Sequence, residues 1–202
     1  MSRKEREKLQ KRNEILMAAL RLFAEKGFEN TTMDEIAESA EFGKGTIYNY
    51  FENKSDIYKG ILDKTTDEQL ESLRLIAEST ENFGDFIQNL TKQIFSKYVT
   101  NRSELLFFAK LKILDYNRFN NCREIWGEKN KEIEKIYMEK IEKGIKTGEL
   151  KNYEPVSILN FFRNSIFPYL FHLIITKDAG EFDSEKESKF FLDVIFYGIL
   201  KT

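Results

Sequence analysis

Hydrophobic residues recur every three or four positions along most of this chain, which is the period of an amphipathic α-helix. The first such stripe predicts a helix over about residues 8–26, ended by Gly27. Its inward positions are Ile15, Ala19, Leu22 and Phe23. Later stripes predict helices over about residues 54–78, 83–98, 103–116, 122–146, 156–175 and 185–200. With two short helices between residues 31 and 53, the pattern predicts an all-α chain of about nine helices.

The stretch 31–56 carries the clearest local signals. Thr32 can cap a short helix and Glu35 can bind the cap's own amide, which is a reciprocal capping box. After a turn that contains glycine, Ile47 and Phe51 are four residues apart and point inward together. Asn53 can then cap the next helix. The stretch predicts two short helices around a tight turn, followed by the start of a long helix.

A short supported helix with polar groups outward is typical of a helix-turn-helix whose second helix enters the DNA major groove. Asn49 can pair with an adenine edge, and Thr46 can contact a base or a thymine methyl. Tyr48 and Tyr50 suit phosphate contacts through their hydroxyls. Lys54, beside the free amides of a helix start, predicts a further phosphate contact.

Spacings over residues 10–62 resemble the DNA-binding domain of the tetracycline-repressor (TetR) family of transcriptional regulators. The matching residues are Ile15, Leu16, Ala18, Ala19, Leu22, Phe23, Glu25 to Phe28, Thr31, Thr32, Ile36, Ala37, Gly45, Thr46, Tyr48, Phe51 and Lys54. The resemblance implies a DNA-binding domain over residues 1–53 and a helical domain for effector binding and dimerisation over residues 54–202. The predicted DNA contacts are Thr32, Lys44, Gly45, Thr46, Tyr48, Asn49, Tyr50 and Lys54.

The turn departs from the family pattern, which usually has Gly-Val-Ser where this chain has Glu41, Phe42 and Gly43. If Glu41 adopts the left-handed conformation, the cost is about 1 kcal/mol. Gly43 also lacks the hydroxyl that could bind a phosphate.

Charge does not favour indiscriminate binding to nucleic acid, since the formal net charge is −2. Residues 3–12 hold a local positive excess, formed by Arg3, Lys4, Arg6, Lys8, Lys11 and Arg12 against Glu5 and Glu7. This excess can serve DNA, or it can belong to a solvated and frayed helix start. Specific contacts must therefore matter more than bulk attraction.

One recognition helix reads only a few base pairs, so a two-fold dimer on a pseudo-palindromic operator is expected. The last two helices are the candidates for the dimer interface, because they are too apolar for solvent. Alternatively, they only complete the core of the monomer.

Eighteen phenylalanines exceed what simple packing needs, which favours an effector cavity lined by rings. A core that is merely rich in phenylalanine is the alternative. The family resemblance places seven residues around an effector cavity, although any single one of them is more often a core residue than a ligand contact. They are Phe95, Tyr98, Phe108, Tyr116, Trp126, Tyr137 and Phe162. The expected effector is a small, largely apolar or aromatic molecule that releases a repressor from DNA.

Catalysis and metal binding find no support, and no cofactor is expected. His172 and Cys122 are the only histidine and cysteine, so no intramolecular disulfide can form and a metal site of the usual zinc type is not expected. We expect a soluble cytoplasmic protein, since no signal peptide opens the chain and Pro168 and His172 interrupt its most apolar run. Two alternatives remain: a constitutive DNA-binding dimer without effector, and an all-α enzyme or scaffold that binds no DNA.

Overall fold

The computed structural model describes residues 2–114, 116–177 and 182–197, without the side chains of residues 98, 99 and 109–126. This described part contains nine α-helices and no strand. They are α1 (Arg3–Lys26), α2 (Met33–Ser39), α3 (Lys44–Tyr48), α4 (Lys54–Ser79), α5 (Phe83–Thr100), α6 (Arg102–Leu114), α7 (Tyr116–Lys146), α8 (Pro155–Thr176) and α9 (Ser184–Tyr197). The predicted all-α class is confirmed.

Two compact units make up the chain. Unit 1 comprises Met1–Asp67 and Ser103–Gly127, and unit 2 comprises Glu68–Arg102 and Glu128–Thr202. Helices α4 and α7 each contribute residues to both units. The predicted domain boundary after residue 53 coincides with the start of α4, whereas the units divide further along that helix; the boundary itself stays a prediction.

The core of unit 1 forms where the apolar stripe of α1 meets α2, α3 and the first half of α4. Its most deeply buried large side chains are Ile15, Leu16, Leu20, Phe23, Ile36, Ile47, Ile57, Ile61 and Leu62. The five-residue α3 is far too short to be stable alone. It is held by Ile47 and Phe51, both buried as the spacing predicted. Phe107 of α6 adds a ring that stacks on Phe23 at 6.2 Å between centroids.

Gly60 lets α1 and α4 approach each other closely. A Cβ at this position would lie 3.0 Å from Leu16 Cδ2 and 3.1 Å from Arg12 Nη2. Glycine at this position is therefore explained by the close packing of α1 and α4 and not by its backbone conformation, because a larger side chain would require these neighbours to shift.

Helix α1 begins at Arg3, well before the predicted start near residue 8. The cause is a second capping box: Ser2 Oγ accepts from the Glu5 amide at 3.2 Å, and Glu5 Oε2 accepts from the Ser2 amide at 2.6 Å. The alternative of a frayed helix start is thus not favoured by the geometry that follows Ser2.

The end of α2 adopts a Schellman motif, which normally places glycine in the left-handed position. The Phe42 amide donates to the Ala37 carbonyl at 3.0 Å, and the Glu41 amide donates to the Glu38 carbonyl at 3.1 Å. Glu41 occupies the glycine position with φ of 58°, so the condition raised by the altered turn is met. The half-buried Phe42 ring packs on the unit 1 core and fixes the motif despite that strain.

In unit 2, α5 packs against α8 and α9. Helix α7 and the loop that follows it bind the end of α4 and the start of α5. The Lys140 and Lys143 ammonium groups donate to the Thr80 and Glu81 carbonyls at 2.6 and 2.7 Å. The Glu149 carboxylate accepts from the Phe83 amide at 2.9 Å, at the start of α5. Both helix ends therefore receive a charge of the favourable sign.

Helix α8 begins at Pro155, as the sequence predicted, and contains Pro168 in its interior. By length and composition it is the one described helix that could cross a membrane, although only 33% of its apolar window is buried inside the structure. A single helix of this kind is weak evidence for a membrane span, because a core or interface helix has the same composition.

Replacing Glu41 with glycine should stabilise the protein, because glycine adopts the left-handed conformation without steric cost. We expect the free energy of unfolding to rise by up to about 1 kcal/mol. The control Glu38→Gly makes the same change inside α2 and should lower it by about 0.5–1 kcal/mol. Urea denaturation measures both, and a loss of stability in Glu41→Gly would show that the φ of Glu41 carries no strain.

Candidate nucleic-acid interface

The capping box at the start of α2 forms as predicted. Thr32 Oγ1 accepts from the Glu35 amide at 3.2 Å, and Glu35 Oε2 accepts from the Thr32 amide at 2.9 Å. Asn53 also caps α4, since its Oδ1 accepts from the Asp56 amide at 3.0 Å. These local bonds set where the two helices that flank α3 begin.

Four of the eight predicted DNA contacts lie on one exposed surface formed by α3 and the residue after it. They are Lys44, Gly45, Tyr48 and Asn49. Tyr48 exposes 54% of its surface, which is unusual for a large ring without a partner. Thr46 and Tyr50 are half-buried, and Tyr50 packs against the unit 1 core. Tyr50 therefore offers DNA less of its surface than Tyr48 does.

Gly45 has no internal reason to be glycine. Its φ is not positive, and a Cβ built on it would meet no atom within 4 Å. A glycine inside a helix costs about 0.5–1 kcal/mol relative to alanine. Open space above a helical glycine is what a close approach by another molecule requires.

Lys44 forms a surface ion pair with Asp34 of α2, at 2.5 Å between Nζ and Oδ2. Both side chains are more than half exposed, and such pairs contribute at most about 1 kcal/mol. A phosphate group can therefore replace Asp34 as the partner of Lys44 at little cost.

Lys54 has a role that sequence reasoning missed. Its ammonium donates to the carbonyls of Phe28, Glu29 and Thr31, at 2.6, 3.2 and 2.7 Å, and lies 4.4 Å from the centre of the Phe28 ring. All three protons are directed at the loop between α1 and α2. The predicted phosphate contact stays a prediction, and the geometry makes Lys54 a tie between the start of α4 and that loop.

Glu35 also pairs with Lys26 at the end of α1, at 2.7 Å. The hydrogen bond from the Lys26 ammonium, together with the one from the Thr32 amide, lowers the pKa of the Glu35 carboxyl to about 2. One carboxylate thus joins α1 to the cap of α2. The capping signal was visible in the sequence, but the Lys26 partner was not, because it depends on how the loop folds.

The seven predicted effector residues do not form one group in the described structure. Tyr98, Tyr116 and Trp126 lie outside the described side chains. Phe108 belongs to unit 1, where it packs edge-on against Phe107 at 5.3 Å. The three others are buried in unit 2.

Two ring clusters hold those three residues of unit 2. Phe95 and Phe162 both contact Phe191, at 5.9 and 6.2 Å between centroids. Tyr137 contacts Phe86 at 6.0 Å, and burial raises the pKa of its phenol to about 12. The structure also has an open groove of about 750 Å³ in unit 1, between α1 and the end of α2, which none of the seven predicted residues lines.

Known proteins with similar sequences are transcriptional regulators, and the match includes the helix-turn-helix region. The sequence model described as "Bacterial regulatory proteins, tetR family" matches residues 15–61, which span the end of α1 to the first turns of α4. The uncharacterised HTH-type transcriptional regulator YhgD of Bacillus subtilis is 30% identical over 144 residues, covering 70% of this chain and 72% of that protein. The chain belongs to the TetR family. It is a DNA-binding transcriptional regulator and not an enzyme.

Other members of the family match over nearly the whole chain. The transcriptional repressor KstR2 of Mycobacterium tuberculosis is 22% identical, with 95% of this chain and 94% of that protein covered. The crystal structure of FadR from Bacillus subtilis in complex with stearoyl-CoA has a TM-score of 0.75 at 21% identity, with 93% and 98% covered. The likeness to FadR extends the family fold through unit 2.

Removing the Lys54 ammonium should destabilise unit 1. In Lys54→Met three carbonyls lose their partner, which should cost about 1–3 kcal/mol of unfolding free energy. The salt dependence of DNA binding should change little. An unchanged melting temperature with a salt slope lowered by about 0.9 would instead show that Lys54 binds a phosphate, as the sequence predicted.

The Glu35 carboxylate should make stability depend on acid pH. Because its pKa is lowered from about 4.5 to about 2, its contribution is complete above about pH 5 and disappears as the pH falls towards 2. Glu35→Gln keeps a capping side chain but cannot ionise. Above about pH 5, Glu35→Gln should therefore have a lower free energy of unfolding than the unmodified protein. Thermal melts should show this difference shrinking steadily as the pH falls towards 2. A deficit that is constant with pH would contradict the pairing with Lys26.

Proposed function

We propose that this TetR-family protein is a homodimeric repressor that binds a pseudo-palindromic operator and is released by a small, largely apolar ligand. The observation that carries the proposal is the exposed surface of α3, with Tyr48 and Asn49 outward and Gly45 open to approach. Repression follows the description of KstR2 as a transcriptional repressor. A regulator of this kind acts in the cytoplasm, where bacterial DNA lies.

The proposed DNA interface includes all eight predicted residues, which differ in role: some contact bases, some contact phosphates and some support the fold. Asn49 and Thr46 read bases, while Lys44, Tyr48 and Tyr50 bind phosphates around them. Gly45 lets the DNA backbone approach α3. Thr32 and Lys54 act mainly by holding α2 and the preceding loop in place, because their polar atoms are already bonded within the protein.

The proposed dimer interface is the exposed apolar surface of α8 and α9. Phe161, Pro168 and Ile175 recur at seven-residue intervals on α8, and all three are exposed. On α9 the matching stripe is Phe190, Val194 and Tyr197, of which Tyr197 exposes 80% of its surface. Monomers rarely leave such contiguous apolar stripes in water, so a second copy of the same helices is the natural cover.

The proposed effector site lies in unit 2, near the rings of α5. Thr91, one turn before Phe95, is fully buried and its hydroxyl has no hydrogen-bond partner in the described part of the chain. A buried hydroxyl without a partner is costly, and a bound molecule can supply one. The related FadR was crystallised with stearoyl-CoA, a ligand with a long apolar chain, which agrees with a pocket walled by rings.

The proposed coupling runs through α4. In unit 2, Arg74 of α4 pairs with Glu132 of α7. Helix α7 also donates a hydrogen bond to a backbone carbonyl at the end of α4. In unit 1 the first residue of α4, Lys54, holds the loop before α2. A ligand that favours a conformer in which the recognition helices are wrongly spaced must then weaken DNA binding, and DNA must weaken ligand binding by the same factor, typically about 5- to 150-fold.

Asn49 and Gly45 should affect DNA binding without affecting folding. Asn49→Ala should weaken binding to the preferred duplex by about 1–3 kcal/mol and relax base choice at one position.

Gly45→Ala should raise or preserve the melting temperature but weaken binding, because its methyl group meets the DNA. Gly127→Ala, at an equally open helical glycine of α7, is the matched control. Equal binding by all three variants would remove α3 from the interface.

Stearoyl-CoA and stearate are the first effectors to test. A compound that binds the folded protein at 100 times its Kd should add about 2.7 kcal/mol of stability, visible in a thermal melt. Thr91→Val should leave the unliganded protein as stable or more stable, while reducing that shift. If no acyl compound or aromatic compound shifts the melt and none releases DNA, the constitutive dimer is the better description.

A further inference from the structure

The first turns of α1 form a charged helix that stands clear of the core. Residues 3–11 are helical and every one of them is exposed, whereas the buried stripe of α1 begins at Ile15. The capping box at Ser2 and the Arg3–Glu7 ion pair at 2.8 Å stabilise this extension from within. An exposed helix that is stabilised by its own cap and ion pair is available for contacts with another molecule.

Its basic side chains are aligned. Lys4, Lys8 and Lys11 are spaced by four and three residues, so they lie on one face of α1, and Arg12 continues that face one turn after Lys8. The three lysines are exposed and have no ion pair or hydrogen bond within the described part of the chain. We call Lys4, Lys8 and Lys11 the basic stripe.

The two acidic residues of the extension leave an excess of positive charge, since residues 3–12 carry six basic side chains against Glu5 and Glu7. Glu5 accepts from the Ser2 amide at 2.6 Å, and Glu7 pairs with Arg3. Both carboxylates are thus engaged with groups outside the stripe. The positive charge of the three lysines is left to solvent or to an anionic partner.

Arg12, which follows the basic stripe on α1, lies close to the segment after α3. Its guanidinium carbon lies 5.2 Å from the centre of the ring of Phe51, the buried residue that anchors α3 from the core side. Residues 4–12 therefore extend for about 12 Å away from the neighbourhood of that segment, a length over which one DNA strand carries roughly three to four phosphates.

We propose that the basic stripe binds the phosphates of duplex DNA beyond the base pairs that α3 reads. This inference rests on the proposed DNA-binding function and extends its footprint. Through residue 54 the basic and acidic residues are equal in number, so bulk charge supplies little attraction and aligned lysines must. A membrane surface is a poorer partner, because Leu9 is the only apolar side chain over residues 3–11.

The test compares two triple variants on a duplex that the unmodified protein enriches from a random-sequence library. Lys4, Lys8 and Lys11 are changed to glutamine in one variant. Lys92, Lys146 and Lys151, exposed lysines of unit 2, are changed to glutamine in the control. Both carry the same net charge, and glutamine has nearly the helix propensity of lysine, so both should fold.

The stripe variant should lose about two to three units per protomer from the slope of log affinity against log salt. Its affinity in about 0.1 M salt should fall about tenfold or more, while the control keeps the slope and affinity of the unmodified protein. A variant with arginine at the three stripe positions should bind like the unmodified protein. Hydroxyl-radical footprints should lose protection only at the outer edges of the site.

Three outcomes would overturn the proposal. If the stripe variant and the control bind the selected duplex alike, the stripe is not in the interface although the DNA-binding function stands. If the stripe variant keeps DNA binding but loses binding to phosphatidylglycerol vesicles, the stripe is a membrane contact. If the unmodified protein enriches no duplex, the proposed function fails together with the stripe.

Discussion

The position of the recognition segment depends on the three bonds from the Lys54 ammonium to the loop between α1 and α2. Helix α3 is five residues long and owes its place entirely to its neighbours. Ile47 and Phe51 anchor it from below, while Lys54 ties the start of α4 to the loop that leads into the capping box of Thr32 and Glu35. The Glu35 carboxylate also accepts a hydrogen bond from Lys26, which joins the start of α2 to the end of α1. The proposed DNA-reading surface is therefore held in place by these few bonds and by the buried side chains of Ile47 and Phe51.

Charge in this protein acts through placement rather than amount. With a formal net charge of −2, the chain has no general attraction for nucleic acid. Three acids near the interface are paired with cations: Asp34 with Lys44, Glu35 with Lys26, and Glu7 with Arg3. The exposed lysines of α1 and the exposed polar groups of α3 are the groups proposed to meet DNA. This distribution gives weak background binding and leaves discrimination to specific contacts, which suits a regulator that must find one operator.

Local signals were predictable from the sequence, and long-range ones were not. The capping box, the inward pair Ile47 and Phe51 and the left-handed Glu41 all depend on residues within a few positions of one another. The bonds from Lys54 join residues 23 to 26 positions apart, so only the folded loop reveals them. The early start of α1 was marked by Ser2 and Glu5, a signal that the charge run around it obscured. The effector residues stay predictions, because three of the seven lie outside the described side chains.

We propose that two copies of the chain bind two half-sites of one operator. A stoichiometric titration combined with a DNA footprint tests this proposal most directly. The protein is titrated onto the duplex that it selects from a random library, well above Kd, and protected bases are mapped. The account predicts saturation at two protomers per duplex and two related protected half-sites about 34–36 Å apart. Saturation at one protomer, or a single protected patch without internal symmetry, would contradict it.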